Sequence, residues 1–150
     1  MKITLKYGLA ITVAVAVWTI IVHVLVKNPD SKIHSLGTVF VFNFVQFAGI
    51  YFGIRAVERQ VGQALFFKQA LKAGVSISFY FAVFCTIFFI CVLLVAGTSF
   101  MSSEPGSKVL PQWLLIIQAF TGLFLLTIFF GMVYSTVIAF AVAKRFSKTT

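Results

Sequence analysis

The hydrophobic positions of this chain form long blocks, not alternating stripes. Uncharged, mainly apolar runs cover Tyr7–Val26, Ser35–Ile54, Ala73–Ser103 and Val109–Ala143, and the charged residues are confined to the stretches between and around them. Each run supplies the roughly 20 apolar positions that a helix needs to cross about 30 Å of hydrocarbon. A single run in lipid must satisfy its own backbone hydrogen bonds, and only a helix does that. Strands of a membrane barrel would alternate over about ten residues, and no such alternation occurs. The pattern predicts an all-α fold of four transmembrane helices in an antiparallel bundle, over about residues 6–26, 35–55, 73–98 and 113–143.

The connections follow from the residues between the runs. Asn28-Pro29-Asp30-Ser31 suits a type I turn, which makes the first two helices neighbours. Residues 55–72 form a basic link. With no helix breaker after Gly62, Gln63–Lys72 is predicted to be helical and to run directly into the third segment. Lys68 and Lys72 then lie one turn apart, facing lipid phosphates, with Phe66 and Phe67 at the interface. Residues 98–110, rich in Ser, Gly and Pro, are an outer loop. The fourth run is too long: 35 residues of straight helix measure about 52 Å, against about 40–45 Å for a whole bilayer. Pro111–Gln118 is therefore predicted to start in the interface, with Pro111 in the first turn and Trp113 in the aromatic belt; a strong tilt is the alternative. The sequence shows no internal repeat.

Composition removes whole classes of function. Apolar residues make up 61% of the chain, charged residues 10%, and Phe occurs 19 times, where a soluble domain has about 45–50% and 25%. A cytosolic enzyme, a nucleic-acid-binding module and a disordered tail are excluded. The twelve basic and three acidic residues report sidedness instead of nucleic acid. Four crossings place Lys2, Lys6, Arg55, Arg59, Lys68, Lys72, Lys144, Arg145 and Lys148 on one side, and only Lys27, Lys32 and Lys108 on the other. Basic residues concentrate on the cytoplasmic side, so both termini are expected there. Arg55, Arg59, Lys68, Lys72, Lys144 and Arg145 are then the expected contacts to anionic headgroups. The first run could be a cleaved signal peptide, but its 20 residues exceed the usual apolar core and no A-x-A site ends it; an uncleaved anchor is the reading adopted.

Helices in lipid associate through small residues and polar contacts, so stripes of both mark the inward faces. Gly8, Thr12, Ala16, Thr19 and His23 form one on the first helix. Asn43, Gln46, Gly49 and Gly53 form one on the second, where the glycines make a GxxxG; packing within the subunit is the simpler use of that motif, dimerisation the other. Gly74, Ser78 and Cys85 align on the third helix, and Gln118, Thr121 and Gly122 on the fourth. Asn43 and Gln46 are costly at depth and should face inward. Hydrogen bonds to Thr12, Thr19 or Gln118 are one role for them; a small polar cavity for a solute or lipid headgroup, or a contact between copies, are the others. Cys85 and Cys91, on one helix, stand about 9 Å apart along its axis, too far for a mutual disulfide, and read as two small buried hydrophobes. His23 with His34 and Asp30 makes a thin metal site, so no metal or other cofactor is expected.

The three acidic residues, Asp30, Glu58 and Glu104, all fall outside the runs, which disfavours an ion-coupled carrier. No H-E-x-x-H, G-x-S-x-G or P-loop occurs, so no enzyme is expected.

The stretch Gly49-Ile-Tyr-Phe-Gly-Ile-Arg, a basic link carrying Gly62, and Phe67-Lys68-Gln69-Ala70-Leu71-Lys72-Ala73-Gly74 resemble the bacterial membrane proteins grouped as domain of unknown function 4199. Lys6-Tyr7-Gly8 is similar to their opening. Lys68 departs from the usual Gly, and the link lacks the usual run of glycines. The resemblance implies four helices in a bacterial inner membrane, and it carries over no activity and no catalytic residue. The expected role is a non-enzymatic interaction within the membrane, as a scaffold or accessory subunit, with a membrane protein or further copies of itself as the possible partner. The alternative is an oligomeric pore or uncoupled carrier lined by Asn43, Gln46 and Gln118, with Thr12 and Thr19.

Overall fold

The computed structural model of the chain describes residues 2–25, 32–96 and 112–143. Four helices account for nearly all of them: α1 (Ile3–Leu25), α2 (Lys32–Val61), α3 (Phe67–Ala96) and α4 (Gln112–Val142). All four are long and apolar enough to span a membrane, over Ile3–Val22, Leu36–Val61, Phe67–Val92 and Ile116–Val142. The turn at Asn28–Ser31, the loop at 98–110, Pro111, Lys144 and Arg145 lie outside the described residues.

Two boundaries differ from the sequence expectation. α2 continues past Arg55 to Val61 and stops at Gly62, whose φ is +72°. The Gly62 amide donates to the Glu58 carbonyl at 3.1 Å, the left-handed cap that glycine adopts without steric cost. The predicted helix over Gln63–Lys72 begins only at Phe67. Gln69 explains the shift, because its Oε1 accepts from the Phe66 amide at 3.1 Å. This is the reach-back half of a capping box, and it makes Phe66 the cap residue. Leu65, inside this non-helical link, is buried and shares the core with Ala70, Ile54 and Val142. α4, by contrast, is one helix through the segment expected to lie in the interface; its 31 residues measure about 46 Å.

α2 and α3 each touch all three other helices, while α1 and α4 share no contact among the described residues. The outer helices therefore sit on opposite flanks of a central pair. Glycines set the closest approaches. A Cβ at Gly8 would lie 2.6 Å from Tyr80 Cβ and 3.1 Å from the Phe81 nitrogen, so α1 rests on the α3 backbone. Gly49 faces Ile11, and Gly53 faces Tyr7 and Ile77; the GxxxG packs inside the subunit. On the other flank two Gly-x-x-x-Ser motifs interlock, with Gly74 against Ser135 and Gly131 against Ser78. In each motif the serine hydroxyl donates to the glycine carbonyl of its own helix, at 3.0 Å for Ser78 and 2.6 Å for Ser135. The hydroxyls are thus satisfied without a partner helix.

The core consists of Ile, Ala and Val, with Phe81 and Leu65 among its largest members. The outside carries Phe40, Phe44, Phe52, Phe79, Phe129, Phe140 and many exposed Leu, Val and Ile side chains. Without a partner or lipid, that surface would face water, an arrangement soluble monomers avoid.

Candidate functional site

The most polar point of the bundle interior is Gln46, which is 0% exposed. Its Nε2 donates to the Thr127 carbonyl of α4 at 3.0 Å, using the second lone pair that a helical carbonyl retains. Gly131 makes the approach possible, because a Cβ there would stand 3.1 Å from Gln46 Nε2. The other end of the amide is unmatched: Gln46 Oε1 is buried and has no hydrogen-bond partner. Thr127 Oγ1 and Thr38 Oγ1 are in the same condition.

The three residues line one cavity, although the unpaired oxygens themselves are shielded from it. It holds ≈ 240 Å³ and is lined by Thr38, Val39, Phe42, Asn43 and Gln46 of α2, Phe89 of α3, and Leu123, Leu126, Thr127 and Phe130 of α4. Among the described residues no charged side chain contributes to it. Val39 and Leu126 are 57% and 58% exposed, so the cavity opens sideways between α2 and α4, toward the apolar surroundings. It lies in the half of the bundle away from the 62–66 link, alongside the first half of α2 and the later turns of α3. The link end, closed by Gly74, Ser135, Ile54 and Leu65, is tightly filled.

Asn43, the neighbouring polar residue, is fully engaged. Its Nδ2 donates to the Val39 carbonyl at 2.7 Å, and its Oδ1 accepts from the Tyr134 hydroxyl at 2.7 Å. Tyr134 is in turn held by Phe47, edge-on at 5.7 Å, and Phe130, stacked at 6.0 Å. The contrast makes the unpaired atoms informative. A buried polar group without a partner costs roughly 1–3 kcal/mol, and native proteins hold few; here three of the residues that line one cavity carry one each.

The structure separates the residues singled out in the sequence. Asn43 and Gln46 share the cavity. Gln118 does not join them: it is exposed on the outer surface of α4, as are Thr121 and Gly122. Gly8, Thr12, Gly49 and Gly53 serve the α1 seam. The hydroxyls of Thr12 and Thr19 do not reach Asn43 or Gln46; they donate to the carbonyls of Gly8 at 3.0 Å and Val15 at 2.8 Å. His23 lies on α1, and its side chain is outside the described residues. Cys85 is buried as expected, but Cys91 is exposed. At the link end, Arg55 pairs with Glu58 at 2.7 Å and lies over the Tyr51 ring at 5.7 Å. Arg59, Lys68 and Lys72 are exposed there. Thr38, Thr127 and Tyr134 escaped the sequence reading. For Thr127 a signal existed: Thr127, Gly131 and Ser135 stand at four-residue steps, the spacing that marked the inward faces of α1 and α2.

No family model, no curated protein and no solved structure matches the chain.

Proposed function

We propose that this integral membrane protein works by noncovalent binding inside the bilayer, with the side cavity as its binding site and without catalytic chemistry. It would serve as an accessory or scaffold component of a bacterial inner membrane, with both termini in the cytoplasm. The observation that carries the reading is that Gln46 and Thr127, each with a buried and unpaired oxygen, both line a cavity open to the side. An antiparallel helix order is supported by the pairings Tyr7–Gly53 with Ile11–Gly49, and Gly74–Ser135 with Ser78–Gly131. The sidedness is supported by the nine-to-three distribution of basic residues, and it places Lys68 and Lys72 among anionic headgroups. Kinship with domain of unknown function 4199 rests on the residues quoted from 49–74.

The experiment is native mass spectrometry of the protein released from its own membranes in lipid nanodiscs. Wild type is expected to retain a bilayer component that Leu126→Trp, which fills the cavity from an exposed position, loses. Identical spectra for the two would refute the reading. The pore alternative has weaker support, because Asn43 and Gln46 border a side pocket while Gln118 stands apart from them. Reconstituted solute flux abolished by Asn43→Leu with Gln46→Leu would revive it.

A further inference from the structure

The chemistry of the cavity narrows what can occupy it. Gln46 Oε1 is an acceptor only, so it needs a donor from its occupant, whereas a threonine hydroxyl can give or take. Among the described residues no Lys, Arg, His, Asp or Glu lines the space, and an unpaired charge brought into it would cost several kcal/mol. Phe42, Phe89, Leu123 and Phe130 supply apolar walls. The ≈ 240 Å³ is roughly eight water volumes, yet water orders only where each molecule finds about three polar partners. A partner helix, about 10 Å across, does not enter such a space.

Taken together, we infer that the cavity binds an uncharged lipid alcohol: a bilayer-borne molecule whose hydroxyl donates to Gln46 Oε1 and accepts from Thr127, with its hydrocarbon chain leaving between Val39 and Leu126. The inference rests on the binding reading above and specifies its ligand. In the present conformation the two polar atoms are shielded. Threonine in a helix divides between two χ1 rotamers, and a turn of Thr127 from one to the other brings its hydroxyl to the cavity surface. Gln46 Oε1, at zero exposure, must likewise swing toward the cavity as the ligand arrives, with the bond from Nε2 to the Thr127 carbonyl as the pivot. Lipids with only ester or ether oxygens leave Oε1 unmatched, and fatty acids in their ionised form bring a charge.

The test uses a long-chain 1-alkanol bearing a diazirine, photolysed with the protein in phosphatidylcholine nanodiscs. Labelling is expected within residues 38–46 and 123–130. Unlabelled 1-hexadecanol should compete about tenfold better than methyl hexadecyl ether, the ratio given by one neutral hydrogen bond of about 1.4 kcal/mol. Thr127→Val, a near-isosteric change, and Gln46→Leu should reduce that preference to about twofold, while Phe129→Leu, on the outer surface, should leave it intact. The wild-type comparison stands even if a variant fails to fold. Equal competition by alcohol and ether, or stronger competition by palmitate, would overturn the ligand class while leaving a bound component lost in Leu126→Trp unaffected. Labelling elsewhere, with no bound component in native spectra, would overturn both.

Discussion

The interlocked glycine–serine seam between α3 and α4 allows a quantitative test. In Gly74→Ala the new Cβ would lie 2.6 Å from Ser135 Oγ and 2.7 Å from Ser135 Cβ, against an optimum of about 3.5–4.0 Å. Ser135 cannot yield by rotation, because its Cβ is fixed to the backbone and its hydroxyl is bonded to the Gly131 carbonyl at 2.6 Å. The helices must part by about 1 Å, which also loosens Ser78 against Gly131. Overpacking of this kind costs about 1–3 kcal/mol, partly offset by the helix preference of Ala over Gly, up to about 1 kcal/mol. Gly122→Ala isolates that second quantity, since nothing lies within 4 Å of its new Cβ. Gly74→Ala should therefore fall about 2 kcal/mol below Gly122→Ala in stability. Reversible unfolding in mixed micelles, followed by far-UV circular dichroism, measures the difference. Adding Ser135→Gly to Gly74→Ala should recover more than half of it. Equal stability of Gly74→Ala and Gly122→Ala would refute the account of the seam.

Other expectations are simpler. Tyr134→Phe removes the 2.7 Å bond to Asn43 and should cost about 0.6–1.7 kcal/mol in the same unfolding assay; no loss would mean that water or lipid replaces it freely. Gly62→Ala forces a side chain onto φ +72° and should destabilise by about 1–2 kcal/mol, with Gly62→Asn losing less; equal losses would argue against a backbone origin. In a background lacking Cys85 and Cys91, single cysteines at Ser31 and Ser103 should react with a membrane-impermeant maleimide from outside intact cells, and those at Gln60 and Ser147 should not; the reverse pattern would invert the topology.

The helices are legible in the sequence because hydrocarbon imposes one requirement on any spanning segment, and a block of about 20 apolar residues meets it visibly. The Gly49–Gly53 face is legible too, since small residues at four-residue spacing serve close packing, but their neighbours Ile11, Tyr7 and Ile77 emerge only from the assembled bundle. Gln118 and Gln46 look equivalent in the sequence. They differ in place: Gln118 lies near one end of the α4 span and on its outer face, whereas Gln46 lies near mid-span of α2, where a glycine on α4 admits it. Thr12 and Thr19 were expected to answer Asn43 and Gln46, yet a helical hydroxyl finds its own i−4 carbonyl first. Thr127 departs from that habit, and nothing local in its sequence announces it. The start of α3 is hidden in the sequence because Gln69 reads as one more helical residue; its reach back to Phe66 depends on where Gly62 has already turned the chain.

The flanking positions of α1 and α4 bear on how the protein is made. Helices leave the ribosome in order, so α1 and α2 enter the membrane as a hairpin whose Gly8 is uncovered until α3 arrives, while Gly53 rests on Tyr7 and awaits only Ile77. α4 then docks onto a finished trio, along a surface that excludes α1. A nascent chain halted after Ala96 keeps every contact of the first three helices and lacks only the last shutter. Because Gly8 and Gly131 bear on one turn of α3, at Ile77, Tyr80 and Phe81 and at Ser78, substitutions in the two seams should influence each other.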